Sequence, residues 1–272
     1  MTRPDWLEVV ERDAPLLVSI PHTGVDLRGL ESRVVSPWLA RKDADWWIDR
    51  LYRFADELGA TVVRTSVSRT VIDVNRDPSG ASLYPGQATT GLCPTTTFDG
   101  EPLYRDGEAP DEAEIAARRR DYFEPYHAAL REQIGRLRSR HDAIVLYDCH
   151  SIRSVIPRLF EGELPVFNLG TNSGASADLA LVDAITEILR ASGRSFVVDG
   201  RFKGGWITRA YGSPEAGVHA LQMELACRFY MRERPGPVDS GAWPTPFDSD
   251  FAEPARQTLA RVLETALAFA RA

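Results

Sequence analysis

The chain has 272 residues, 43% of them apolar, and a formal net charge of −7. That length suits one large domain with a substantial core. The acidic balance excludes nucleic acid as the main partner, because phosphate binding asks for a basic face. No run of eighteen apolar residues occurs, so neither a transmembrane helix nor a membrane partner is expected. The opening stretch MTRPDWLEVVERDAP is charged and lacks the apolar segment of a signal peptide, which makes the cytoplasm the expected location. The odd set Cys93, Cys149 and Cys227, without a paired motif, reads as reduced thiols. Only Lys42 and Lys203 are lysines, a bias typical of GC-rich coding, so a lone arginine is weak evidence of function here.

In chain order, apolar runs bounded by turn residues predict buried strands, and 3.6-residue periodicity predicts helices. The first strand is Leu16–Ile20. A helix follows over 44–58, with Trp47, Leu51, Phe54 and Leu58 at helical spacing and Gly59 as its stop. Strands are expected at 61–67 and 70–74. The segment 77–112, rich in Gly, Pro, Thr and Asp, is the longest irregular stretch; it reads either as a pocket wall or as surface elaboration. A long helix over 110–139 has Pro125 as the place for a kink. Next come strands at 143–147 and 164–169, a helix over 176–192, strands at 195–198 and 220–225, and a last helix over 253–271. This alternation predicts a single α/β domain spanning 1–272, with a mixed, mainly parallel sheet flanked by helices on both faces. In such folds the ligand crevice lies at the carboxyl ends of the strands.

Two of the five histidines fall there. Pro21-His22-Thr23-Gly24 follows the first strand, and Asp148-Cys149-His150-Ser151 follows the strand at 143–147. One such histidine is more simply a turn residue bonded to backbone, but two at equivalent places point to a shared metal. His127 and His141 sit on or just after the long helix and are expected at the surface. His219 shares parity with Leu221, Met223 and Leu225 and should face away from the pocket.

A hydrolytic metal site usually takes a third protein ligand and leaves room for water. Asp43, Asp45 and Asp49 cluster at the start of the helix over 44–58; Asp43 suits an N-cap, and Asp45 falls in the first turn, off the core stripe. On the strand at 220–225, Glu224 sits on the face opposite Leu221, Met223 and Leu225. It is either the solvated side of an edge strand or a general base beside a metal-activated water. Asn75-Arg76, ending Val71-Ile72-Asp73-Val74-Asn75-Arg76, can anchor a carboxylate through a fork and an extra donor. Arg209, within a glycine-bearing segment, is a second anion-binding candidate. Cys149 is a poor partner for His150 as nucleophile, since neighbours on a strand point to opposite faces.

Together, Pro-His-Thr-Gly (21–24), the Asp45/Asp49 helix start, Val-Ile-Asp-Val-Asn-Arg (71–76), Asp-Cys-His-Ser (148–151) and Leu-Gln-Met-Glu-Leu (221–225) resemble the N-formylglutamate amidohydrolases, in order and spacing, from about residue 16 to 230. These belong to a wider zinc-carboxypeptidase-like group. The resemblance implies a phosphorylase/hydrolase-like α/β fold, one zinc ion, and hydrolysis of a small anionic N-acyl amino acid, N-formyl-L-glutamate, in the last step of one route of histidine degradation. It implies His22, Asp45 and His150 as zinc ligands and Glu224 as general base. Asn75 and Arg76 would bind a substrate carboxylate, and Arg209 the second carboxylate or the oxyanion. One departure stands out. The carboxypeptidase pattern has Glu three residues after the first histidine, whereas here position 25 is Val and 26 is Asp, so Asp26 and Asp43 stay open as alternatives to Asp45. Two other functions remain: a zinc hydrolase of another N-acyl amino acid or short peptide, and a non-catalytic anion-binding protein.

Overall fold

The computed structural model describes residues 3–234 and 236–272; the first two residues of the charged opening stretch, and Pro235, lie outside it. Seven strands form one sheet: β1 (Leu7–Val10), β2 (Leu16–Ile20), β3 (Thr61–Thr65), β4 (Ile144–Ile152), β5 (Phe167–Gly170), β6 (Phe196–Val198) and β7 (Val218–Ala226), in the order β1-β3-β2-β4-β7-β5-β6. The pairings β2–β3, β2–β4, β4–β7 and β5–β6 are parallel, while β1–β3 and β5–β7 are antiparallel. Every residue of β2, β4 and β7 is buried, as expected of parallel strands covered on both faces. The six α-helices among the described residues are α1 (Ile48–Leu51), α2 (Glu112–Arg118), α3 (Glu124–Arg138), α4 (Leu179–Ala191), α5 (Trp206–Tyr211) and α6 (Ser249–Ala270). One face of the sheet, with Leu17, Leu146 and Ala220, packs against Tyr126, Leu130 and Leu137 of α3. The other, with Val145, Tyr147, Cys149, Leu221 and Met223, packs against Leu181, Ile185, Leu259 and Leu263 of α4 and α6. No described helix is long and apolar enough to cross a membrane. All three cysteines are free and buried.

The departures from expectation have local causes. β1 has no counterpart among the predicted strands because Leu-Glu-Val-Val lies in the charged opening segment; it forms by adding to the outer edge of β3. The stretch 70–74 is not a strand. Asp73 accepts a hydrogen bond from the backbone N–H of Asn75 at 2.9 Å, an Asx turn that reverses the chain. Val71, Ile72 and Val74 nevertheless bury in the core. The helix expected over 44–58 shrinks to α1 and a 3₁₀ turn over Arg53–Asp56. It is interrupted at Trp47, whose φ of 64° lies in the left-handed region that bulky residues avoid. The indole N–H of Trp47 donates to the Thr245 carbonyl at 2.9 Å and clamps that conformation. The kink near Pro125 takes the form of a π-type turn over Arg119–Phe123 that joins α2 to α3, so the missing proline N–H falls at the start of α3. α6 starts at Ser249, ahead of the expected residue 253, because Asp248 caps it through the Phe251 N–H.

His127 corrects the expectation of a surface residue: it is only 2% exposed. One ring nitrogen lies 2.8 Å from the Val74 carbonyl and the other 2.8 Å from the Tyr211 hydroxyl, so α3 grips both the 70–76 turn and α5. Burial disfavours its cation and lowers its pKa to about 4, against the opposing pull of the Val74 carbonyl. Because the unfolded value is near 6.5, the stabilising contribution is complete above that pH and is lost as pH falls toward 4. Urea titrations between pH 7 and 4 are therefore expected to show stability falling more steeply in the native protein than in a His127→Gln variant. Equal pH slopes would rule out this titration.

Candidate metal centre and substrate cleft

His22 lies two residues beyond β2, on a turn fixed by close packing. A Cβ at Gly24 would stand 2.4 Å from the backbone of Ser66 and Val67, so only glycine allows that approach. His150 is not past a strand end, as the sequence suggested, but inside β4, which continues through Asp148-Cys149-His150-Ser151 as a central strand. Strand parity puts Asp148 and His150 on one face and Cys149 in the opposite core. β7 is likewise interior, which excludes the edge-strand reading of Glu224; it is 7% exposed and pairs in register with His150. Asp45 precedes α1 rather than lying in its first turn. Its N–H donates to the His22 carbonyl at 2.9 Å, which ties the loop to the His22 turn.

These placements bring His22, Asp45 and His150 together, all buried, with potential ligand atoms within 4.8 Å of one another. Asp45 Oδ2 lies 3.0 Å from His150 Nδ1 and 3.6 Å from His22 Nδ1. Each ring turns its Nε2 to a buried carboxylate, His22 to Asp73 at 2.7 Å and His150 to Asp148 at 2.8 Å. Those carboxylates accept hydrogen bonds from Nε2–H and leave the Nδ1 lone pairs converging beside Asp45, the arrangement of a metal-ligating histidine backed by a carboxylate. His22 Nδ1 is buried without a hydrogen-bond partner, which fits a cation at that point. The two other carboxylates the sequence left open are engaged elsewhere. Asp26 is bonded to Arg28 in a more exposed position. Asp43 is not a helix cap; it accepts from the Phe98 N–H at 2.6 Å and faces Arg153 at 3.5 Å.

The charges around the centre are strongly coupled. Burial opposes ionisation of Asp45, but His150 and His22 outweigh it and hold the carboxyl below its usual range. Burial also opposes ionisation of Asp73, and His22, Arg69 and Arg76 hold it well below. Burial resists a proton on His150, yet Asp148 and Asp45 raise its pKa well above the ordinary value. A divalent cation at Nδ1 answers the same negative surroundings that favour the proton. Glu224 behaves oppositely. Burial pushes its carboxyl up to about 7, assisted by Asp45 and Asp148 and opposed by His150 and Arg69. Gln222, on the same face of β7, donates to Glu224 Oε2 at 3.1 Å.

A cleft opens over this centre, with walls that include His22, His150, Glu224, Asn75, Arg76 and Arg69. The 77–112 segment supplies Tyr84, Ala88, Thr89, Thr90 and Phe98 to the lining. Asn75 uses its amide structurally: Nδ2 donates to Asp148 Oδ2 at 2.9 Å, and Oδ1 accepts from the Ile207 N–H at 2.8 Å. Arg76 reaches Thr90 at 3.1 Å and Asp73 at 3.4 Å. Arg209 does not line the cleft. Its Nε donates to the Gly204 carbonyl, and its guanidinium lies 5.1 Å from the ring of Tyr84. His219 accepts from the Asp178 N–H and packs edge-on to Phe269, on the sheet face away from the cleft.

Sequence reasoning missed the backing carboxylates and two arginines. Asp148 was findable, since a carboxylate two residues from a histidine shares its face on a strand. Arg69, which bridges Asp73 at 2.7 Å and Asp45 at 3.4 Å, and Arg201, in the cleft wall, carry no local signal.

The family model described as N-formylglutamate amidohydrolase matches residues 14–231. The chain belongs to the N-formylglutamate amidohydrolase family. It is 45% identical to the N-formylglutamate deformylase of Pseudomonas aeruginosa over 259 residues, covering 94% of each chain, and 44% identical to that of Pseudomonas putida. The crystal structure of an N-formylglutamate amidohydrolase from Ralstonia eutropha JMP134 superposes with a TM-score of 0.79 at 25% identity, covering 98% of each chain. A further structure, from Agrobacterium tumefaciens, shares the fold alone, at TM-score 0.66 and 17% identity.

In this amidohydrolase the backing carboxylates orient the histidines. Asp73→Asn and Asp148→Asn are each expected to weaken metal affinity about 10–100-fold, measured by competition with a chromogenic chelator. Unchanged affinity would remove them from that role.

Proposed function

We propose that this chain hydrolyses N-formyl-L-glutamate to formate and L-glutamate, with one divalent metal ion, zinc in the first instance, held by His22, Asp45 and His150. The observation that carries the reading is the convergence of two carboxylate-backed imidazoles and Asp45 beneath a cleft into which Glu224 projects from the neighbouring strand. A metal held by these residues would supply Lewis acidity and make an attacking water easier to deprotonate near neutral pH. Glu224, whose carboxyl burial pushes up to about 7 before a metal is bound, is placed to take a proton from the attacking water and pass it to the departing amine of glutamate. Its register pairing with His150 fixes it at the level of the centre. Arg76 binds the α-carboxylate, and Asn75, on the cleft wall beside it, shapes that subsite through the amide contacts that hold α5 and Asp148. Arg69 lies beside Asp45 and stabilises negative charge developing on the former carbonyl oxygen. Arg209 contributes through Tyr84. Three unpaired, buried thiols suit a reducing compartment, in keeping with a cytoplasmic location.

The test is formate release from N-formyl-L-glutamate by the purified protein. Release is expected to stop with a chelator and return with added zinc. Stoichiometric metal without release would shift the reading to another N-acyl amino acid, and neither metal nor release would favour an anion-binding protein. Glu224→Gln preserves the shape and the contact with Gln222. It should bind metal normally while kcat falls by at least about two orders of magnitude; near-normal turnover would displace Glu224 as the base.

A further inference from the structure

The cleft wall contains three arginines, and they are not equivalent. Arg69 is committed to Asp45 and Asp73. Arg76 is partly neutralised by Asp73. Arg201 faces no carboxylate within 4.0 Å among the described residues; its two hydrogen bonds, from Nε to the Leu159 carbonyl at 2.8 Å and from Nη2 to the Ala88 carbonyl at 2.9 Å, go to neutral acceptors. A guanidinium has five N–H groups, so three remain without a protein partner among the described residues.

The position of Arg201 is built. The ring centroids of Tyr84 and Phe202 lie 5.4 and 5.2 Å from its guanidinium carbon. Tyr84 is itself pinned: its hydroxyl donates to the Gly204 carbonyl at 2.9 Å and accepts from the Lys203 N–H at 3.1 Å. The segment after β6 that carries Arg201 is fixed at both ends. Asp199 accepts from the Thr171 N–H at 2.8 Å, and Gly170 approaches Gly204 so closely that a Cβ would stand 2.5 Å from its nitrogen. Partial burial lowers the Arg201 pKa, Tyr84 and the more distant Glu224 oppose that, and Arg76 adds to it, so the guanidinium is a partly desolvated cation with no carboxylate in contact.

We propose that Arg201 binds the side-chain carboxylate of the substrate and sets the preference of the cleft for an acidic N-formyl amino acid over a neutral one. This rests on the proposed N-formylglutamate hydrolysis, whose dianionic substrate brings two carboxylates; Arg76 takes one and Arg201 the other. Tyr84 and Arg209 act behind Arg201 as positioning residues: the tyrosine ring lies close to both guanidinium groups, and Arg209 and the Tyr84 hydroxyl share the Gly204 carbonyl.

The test compares kcat/KM for N-formyl-L-glutamate and N-formyl-L-glutamine in the zinc-loaded native enzyme and in Arg201→Met, which keeps the apolar stem and removes the fork. Loss of a latch between loops lowers both values together, whereas loss of a carboxylate partner changes their ratio. The preference for the acidic substrate is expected to shrink at least tenfold, mainly through KM. A smaller change in the ratio overturns the assignment, whatever happens to the absolute rates. Arg201→Gln gives the same readout if the Met variant does not fold. Absence of formate release from N-formyl-L-glutamate by the native enzyme would instead sink the functional reading, and this assignment with it. Full native activity with an unchanged ratio in the variant would sink this assignment alone.

Discussion

The structure is organised around the burial of negative charge. Asp45, Asp73, Asp148 and Glu224 are each less than 8% exposed and lie around the same two imidazoles. Ionised carboxylates in such a place are tolerated only when paired and hydrogen-bonded. Arg69 and Arg76 offset Asp73, and Ser19, which donates to Asp148 at 2.7 Å, satisfies one of its oxygens. His22, Asp45 and His150 converge among these groups with His22 Nδ1 left without a hydrogen-bond partner, a cluster that could hold a divalent cation. Glu224 meets the same constraint in another way: burial, assisted by Asp45 and Asp148, raises its pKa to about 7 and keeps a proton on much of it near neutrality.

The fold serves this arrangement by bringing adjacent parallel strands to a common level. Ser19 of β2 lies opposite Asp148 of β4, and His150 of β4 lies opposite Glu224 of β7. Alternation along each strand then sorts chemistry from core. Asp148 and His150 turn toward the cleft, while Tyr147 and Cys149 pack against the α4 and α6 layer. The remaining parts arrive from loops, each tied down by a specific contact: the Gly24 approach for His22, the Asp45 N–H to His22 bond, and the Asn75 amide that joins Asp148 to α5. A Cβ at Gly205 would stand 2.4 Å from that amide, so the start of α5 and the back of the His22–Asp45–His150 cluster are packed as one unit.

Much of the fold and site is legible in the residues. The strands of the central sheet, the long helices, and the candidate set of His22, Asp45, His150 and Glu224 follow from apolar runs, parity and a family pattern spread along the chain. Where local signals misled, tertiary contacts had overruled them. The polar run at 148–151 looks like a loop but is a strand, because β7 pairs with it throughout and β2 pairs with it as far as Asp148. Val71-Ile72-Asp73-Val74 looks like a strand but is a turn, because Asp73 bonds back to its own chain. The helix periodicity around Trp47 is broken by a strained residue that an indole contact across the fold holds in place.

Residue type and short-range spacing suffice for the α/β class, for the parity that sets His150 and Glu224 apart from the core, and for the kinds of ligand available. That Asp45 rather than Asp26 or Asp43 joins the histidines, that Asp73 and Asp148 stand behind them, and that Arg201 rather than Arg209 lines the cleft emerges from the folded chain. Those choices depend on distances between residues far apart in the chain, and they are fixed by packing and buried charge that no local pattern encodes.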